Sequence, residues 1–298
     1  MSQTWSTKIQ GIDTLNLNRE VRFTEKTFKH ILDVINLNET DKVLELGCGP
    51  GTFSRRLASF YPNMKIVGLD FDNKFIEYCK SQADKESYDK LVYCQGDALD
   101  TGFNDACFDV CTSHTVIEHL PNQEFLSEQY RLLKPGGGVI VFNTRADVAI
   151  RSEEGINPVE REIELLDKVS VTLKVLNEEN QVALYSANPQ QILRTMENVG
   201  FTDLQIDAVP YTICLDDYRN SQKYKVQILE SEKKSLMEFI HMSLIENPDT
   251  ITNKEFKELE ILISERFARR VKMIESEENL WDFNITPTLV LMGRKPLT

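Results

Sequence analysis

No stretch of this chain approaches the roughly 20 consecutive apolar residues that a bilayer-spanning helix needs. That excludes a membrane helix, and no membrane association is expected. The opening MSQTWSTKIQ lacks the basic-then-apolar order of a signal peptide, so the protein is expected to stay where it is made, in the cytoplasm. A C-x-x-C pair is also missing. The six cysteines, Cys48, Cys79, Cys94, Cys107, Cys111 and Cys214, form no paired framework and read as free thiols of a reducing compartment. Cys107 and Cys111 do not make a metal pair, because Cys111 falls inside an expected buried strand. Basic residues are few: 34 Lys and Arg face 47 Asp and Glu, and the resulting formal charge of −13 repels phosphate backbones, so no nucleic-acid partner is expected. One basic cluster exists, RFARRVK, with Arg266, Arg269, Arg270 and Lys272. Acidic residues crowd both flanks, so it reads as a solvated ion-paired helical face, with an anionic partner as the alternative. There is no internal repeat and no low-complexity tract.

What is present is an alternation of short apolar runs with helical stretches, the pattern of βαβ units and a mostly parallel sheet. Six runs read as strands: KVLELG (42–47), KIVGLD (65–70), LVYCQG (91–96), FDVCTS (108–113), GGVIVFN (137–143) and FTDLQIDAV (201–209). A seventh, TPTLVLMGRK (286–295), lies far beyond the ordinary connection length of a few residues, so something is inserted before it. The insert reads as two amphipathic helices, 221–246 and 253–275, the second opened by a Thr252/Glu255 capping box. Asn188, Pro189 and Gln191 open another helix that stops at Gly200. The expected fold is α/β, a doubly wound Rossmann-like seven-stranded sheet with six parallel strands and an antiparallel seventh, carrying helical insertions. It forms one domain with a core over about 24–210 plus 285–296, an N-terminal cap (1–23), a substrate-side insert (146–187) and a helical lid insert (212–284).

The strongest local signal is VLELGCGPG, a strand running into Gly47, Gly49 and Gly51 directly before a helix. Glycine is needed there for the strand-to-helix turn and for close approach of a ligand to the backbone. Thr52 stands where the dinucleotide fingerprint needs its third glycine, so the spacing is E-x-G-x-G-x-G. Asp70 closes the second strand, where a carboxylate can accept ribose hydroxyls. Asp97 and Ala98 follow the third, where a carboxylate can receive an exocyclic adenine amine. Three such positions at three successive strand ends are far less probable by chance than any one alone.

On these motifs, over about residues 24–145, the sequence resembles the class I S-adenosylmethionine-dependent methyltransferases, particularly the branch of the ubiquinone and menaquinone biosynthesis enzymes. LLKPGGGVIVFN is similar to that family's turn into its fifth strand. The resemblance implies S-adenosyl-L-methionine as cofactor. Its methionine portion would lie on the Gly47–Gly51 loop, which Glu45 orients. Asp70 would hold the ribose, Phe71 would lie against the adenine, and Asp97 with the Ala98 amide would read its edge. Arg22, or Arg19 on the same segment, could clamp the methionine carboxylate. Ser113 and His114, ending the fourth strand, complete the set.

A sulfonium methyl is already electrophilic, so alignment and water exclusion are the main tasks and a base matters only for a protonated acceptor. His114 is the candidate base, with a pocket-wall role as its alternative. Some relatives hold a divalent ion with E-x-x-E-H. Here Thr115 replaces the first Glu, so Glu118 and His119 read as helix-start packing, and no metal is expected. The expected activity is methyl transfer to a small-molecule acceptor, with oxygen, nitrogen and carbon all open. A protein methyltransferase and a non-catalytic cofactor-binding subunit are the alternatives.

Overall fold

The computed structural model describes residues 5–153, 155–179 and 182–297. Eight strands form one sheet: β1 (Lys42–Leu46), β2 (Lys65–Asp70), β3 (Leu91–Gln95), β4 (Phe108–His114), β5 (Leu133–Thr144), β6 (Ile150–Arg151), β7 (Thr202–Cys214) and β8 (Phe283–Arg294). The first five are parallel in the order β3-β2-β1-β4-β5, and β8 lies antiparallel between β5 and β7. Six parallel strands and an antiparallel seventh therefore stand as expected. The addition is β6, which pairs with the start of β8. Two residues carry no readable alternation, so nothing in the sequence marks it. The central strands β1 and β4 are buried along nearly their whole length, as strands covered on both faces must be.

Nine α-helices occur among the described residues, beside a π-helical turn (Trp5–Ile9) and two 3-10 turns (Ile117–His119, Ala146–Val148): α1 (Ile12–Arg22), α2 (Glu25–Ile35), α3 (Thr52–Phe60), α4 (Asn73–Glu86), α5 (Asn122–Leu132), α6 (Glu160–Glu179), α7 (Pro189–Val199), α8 (Gln222–Glu246) and α9 (Asn253–Glu275). Phe28, Phe53 and Ile76 carry α2, α3 and α4 onto one sheet face, while Phe125, Leu126, Ile192 and Met196 carry α5 and α7 onto the other. The capping boxes at Asn188/Gln191 and Thr252/Glu255 form as expected, and Gly200 ends α7 at φ 111°.

A third hydrophobic cluster joins Val21 of α1, Leu165 and Val169 of α6, Ile228 and Ile240 of α8, and Leu259 and Ile263 of α9. The cap, the insert and the lid are thus one helical roof. Residues 1–4 of the expected cap and residues 154, 180 and 181 of the expected insert lie outside the described residues. No helix among the described residues is long and apolar enough to cross a membrane, and the six cysteines are free.

Candidate cofactor and acceptor site

β1 delivers the chain into a loop whose three glycines have φ of 69° (Gly47), 52° (Gly49) and 71° (Gly51), values that L side chains rarely adopt. A Cβ on Gly47 would stand 2.6 Å from the Val116 side chain, and one on Gly51 2.5 Å from the Tyr93 hydroxyl. At Gly49 the nearest atom would be Leu15 at 3.5 Å, an ordinary contact, so there it is the positive φ rather than crowding that calls for glycine. The amides of Gly47 and Cys48 donate to the Leu69 carbonyl (2.8 and 3.0 Å), and the Gly49 amide donates to Asp70 Oδ2 (2.7 Å). The loop is therefore tied to the end of β2.

Asp70 Oδ1 accepts from the Asp72 amide at 2.9 Å, which fixes the carboxyl plane. Burial pushes its pKa up to about 6 against those backbone donors. Glu45 is almost fully buried, accepts from the Ser54 hydroxyl, and is pushed by burial to about 7.

These groups border a cavity of about 480 Å³ at the carboxyl ends of β1, β2 and β4. Of the expected residues, Glu45, Gly47, Gly49, Asp70, Phe71, Asp97, Ala98 and His114 line it. Three do not. Gly51 instead caps α3 and packs on Tyr93. Ser113 is fully buried, and strand alternation puts it on the face opposite His114. Arg22 is displaced by Arg19, one helical turn earlier on the same face of α1. Asp97 Oδ1 is already engaged by the Leu99 amide (2.9 Å), which turns the chain after β3.

Arg19 Nη1 donates to His114 Nδ1 (2.8 Å) and Nη2 to Thr115 Oγ1 (2.6 Å). Burial lowers the Arg19 guanidinium to about 10. Arginine only donates, so Nδ1 of His114 is the acceptor, and Nε2–H donates to the Tyr211 hydroxyl at 2.9 Å. The ring is stacked on Phe142 and edge-on to Phe23. Burial, then the charges of Arg19 and Arg22, hold its pKa well below 6.5. In this arrangement neither nitrogen is open to a substrate proton. Tyr211 lies beyond the expected end of its strand, which is why sequence alone did not pair it with His114.

The roof closes the cavity with Trp5, Leu15 and Phe23. The Ser6 amide donates to Asp72 Oδ2 (2.9 Å), and Trp5 meets His119 edge-to-face at 4.6 Å. His119 Nδ1 accepts from the Ala183 amide (3.0 Å), and burial lowers this imidazole to about 4. Its Nε2 lies 4.0 Å from Glu118 Oε1, and Glu118 Oε2 is buried without a partner. Among the described residues no three His, Cys, Asp or Glu side chains gather as a metal site.

Residues 37–160 match a family model for a methyltransferase domain. A demethylmenaquinone methyltransferase from Lactococcus lactis is 33% identical over 121 residues, 40% of this chain and 46% of that protein. Over residues 37–160 the core is that of a methyltransferase domain. A tocopherol O-methyltransferase from Arabidopsis thaliana is 25% identical over 244 residues, 80% of this chain and 68% of the other. Phosphoethanolamine N-methyltransferase 2 from Haemonchus contortus shares the fold, with a TM-score of 0.57 and 18% identity over 99% of this chain and 59% of that one. Against the first curated relatives the chain spans less than half of their length. The residues of this core suit S-adenosylmethionine: Gly47 and Gly49 bring bare backbone to the cavity wall, and carboxylates stand at the end of β2 and after β3.

Proposed function

We propose that the protein methylates a small molecule held between the sheet ends and the helical roof, with S-adenosylmethionine as methyl donor. The observation that carries this reading is the convergence of the Gly47–Gly49 backbone, Asp70 and Asp97 on one cavity that Trp5, Leu15 and Phe23 cover. When bound, the cofactor supplies an electrophilic methyl on a sulfonium. Asp70, held by two backbone amides, receives the ribose hydroxyls. Asp97 and the Ala98 amide meet the adenine edge, with Phe71 against its face. Arg19, which has no carboxylate within ion-pair distance among the described residues, takes the methionine carboxylate through a charged hydrogen bond.

His114 holds Arg19 in place and walls the pocket, and it takes no proton. The relatives are named for small acceptors: demethylmenaquinone, a sterol and tocopherol. Calorimetry with S-adenosylhomocysteine tests the reading. The wild type binds, and Asp70→Ala weakens binding by about 1–3 kcal/mol, the cost of a charged hydrogen-bond partner. A folded variant with unchanged affinity would remove Asp70 from the site.

A further inference from the structure

Two rings of the cavity wall, those of Trp5 and His119, each carry a hydrogen-bond donor that no described residue uses. His119 accepts the Ala183 amide at Nδ1 (3.0 Å), so its neutral ring holds the proton on Nε2. Glu118 Oε1 stands 4.0 Å from that nitrogen, too far for a hydrogen bond. Trp5, whose ring meets His119 edge-to-face at 4.6 Å, has one polar side-chain atom, and Nε1–H only donates. Neither donor is sealed in. In contrast to Glu118 Oε2 both keep accessible surface, and the His119 side chain is 21% exposed. An N–H group at a cavity wall with no protein partner points to a ligand atom that accepts from it.

The two rings are held from opposite sides. The Tyr185 amide donates to the Glu118 carbonyl (2.9 Å), so the segment that carries Ala183 is docked on the Ile117–His119 turn and fixes the imidazole tautomer. The Ser6 amide on Asp72 Oδ2 anchors the segment that carries Trp5. Burial lowers the His119 imidazole to about 4, so at neutral pH the ring is uncharged and Nδ1 keeps its lone pair for Ala183. Toward the cavity His119 is therefore a donor and not a base.

We infer that His119 and Trp5 together hold an uncharged oxygen, a hydroxyl or a carbonyl, of the molecule to be methylated. The inference rests on the methyltransferase reading above. Lone pairs decide between the candidate groups. Two donors on neighbouring rings suit one oxygen, which has two lone pairs, whereas an amine nitrogen has one and an alkylammonium none. A carboxylate or phosphate could accept as well, but it would bring like charge toward the Glu118 carboxyl beside Nε2. The rings themselves offer apolar surface to the carbon frame that bears the oxygen. The contact selects and positions the acceptor, and it moves no proton.

The test does not require the natural acceptor. Full-length protein saturated with S-adenosylhomocysteine is titrated separately with phenol, toluene and benzylammonium, followed by saturation-transfer NMR. Phenol binds saturably to the wild type and more tightly than the other two. Its affinity falls about fivefold in His119→Phe and in Trp5→Phe, the loss of one neutral hydrogen bond in each, and partly returns in His119→Gln, which keeps an N–H donor. Toluene, which accepts no hydrogen bond, binds wild type and variants alike. Equal phenol affinity in the wild type and a folded Phe variant, no phenol binding by the wild type, or tighter binding of benzylammonium overturns the assignment. A nitrogen-15 spectrum at neutral pH with the His119 proton on Nδ1 does the same. Unchanged S-adenosylhomocysteine affinity shows that a variant is folded. Failure of the wild type to bind S-adenosylhomocysteine would instead sink the methyltransferase reading.

Discussion

The sheet end and the N-terminal segment of the helical roof bound the same cavity, which the expected insert (146–187) and lid (212–284) do not line, and floor and roof are held in opposite ways. At the sheet end the organising contacts are short and mostly backbone: amides of Gly47, Cys48 and Gly49 on the end of β2, and the Asp72 amide on Asp70. The roof is held by side chains far apart in sequence. Arg270 meets Asp216 at 2.6 Å with both side chains almost fully buried, and Arg266 meets Glu162 at 2.8 Å. Ser231 bonds Asn18, and Tyr224 bonds the Val21 carbonyl. The floor can thus be prepared by local sequence, whereas the roof exists only when three separate segments have come together.

The largest expected effect tests that contrast in the roof. Arg270→Ala leaves Asp216 buried without its cation, although the Leu280 and Asp282 amides still donate to it. The expected loss is about 3–5 kcal/mol, the usual cost of breaking a buried pair. Denaturant midpoints measure it, and a change within error would show that the ion pair does not hold the roof.

The next effect lies in the floor and is read through pH. Glu45 titrates at about 7 in the folded protein against an ordinary 4.5. Between these values the folded state binds more protons than the unfolded one, so stability falls as pH rises from 4.5 to 7. The full penalty, on the order of 3 kcal/mol, is present above 7. Glu45→Gln has no proton to lose there, so its stability relative to wild type climbs across that window. Parallel stability curves for the two proteins from pH 4.5 to 8 would contradict this.

The smallest effect separates local from assembled structure within the roof. Thr252→Ala removes the capping box that starts α9 and should cost about 1 kcal/mol, with S-adenosylhomocysteine affinity unchanged. Weakened cofactor binding in that variant would mean that roof and floor are more tightly coupled than their contacts suggest.

Much of the floor was legible in the sequence because its signals are local. A strand buried along nearly its whole length runs straight into a glycine turn at Leu46 and Gly47, and a carboxylate, Asp70, closes the next strand, each read within its own segment. The basic cluster is ion-paired but not the solvated face the sequence suggested: Arg266, largely buried, and Arg270, fully buried and four residues on, meet the distant Glu162 and Asp216, and Arg269 faces solvent. His114 was legible in position but not in state. Its neighbours Arg19 and Tyr211 come from α1 and β7, and no spacing rule links residues 95 and 97 positions away.

By itself the sequence determined the doubly wound sheet, the order of the glycine loop and its two carboxylates, and the start and stop of the capped helices, since these follow from periods, caps and turn dihedrals within single segments. Only the tertiary structure decided that Arg19 rather than Arg22 reaches the cavity, that Ser113 faces away from it, and that His114 is locked between two partners. It also decided that three insertions form one roof and that Glu118 keeps a buried oxygen bare. Each of these depends on which side chain is desolvated and by whom it is met, and that is fixed by packing between distant segments.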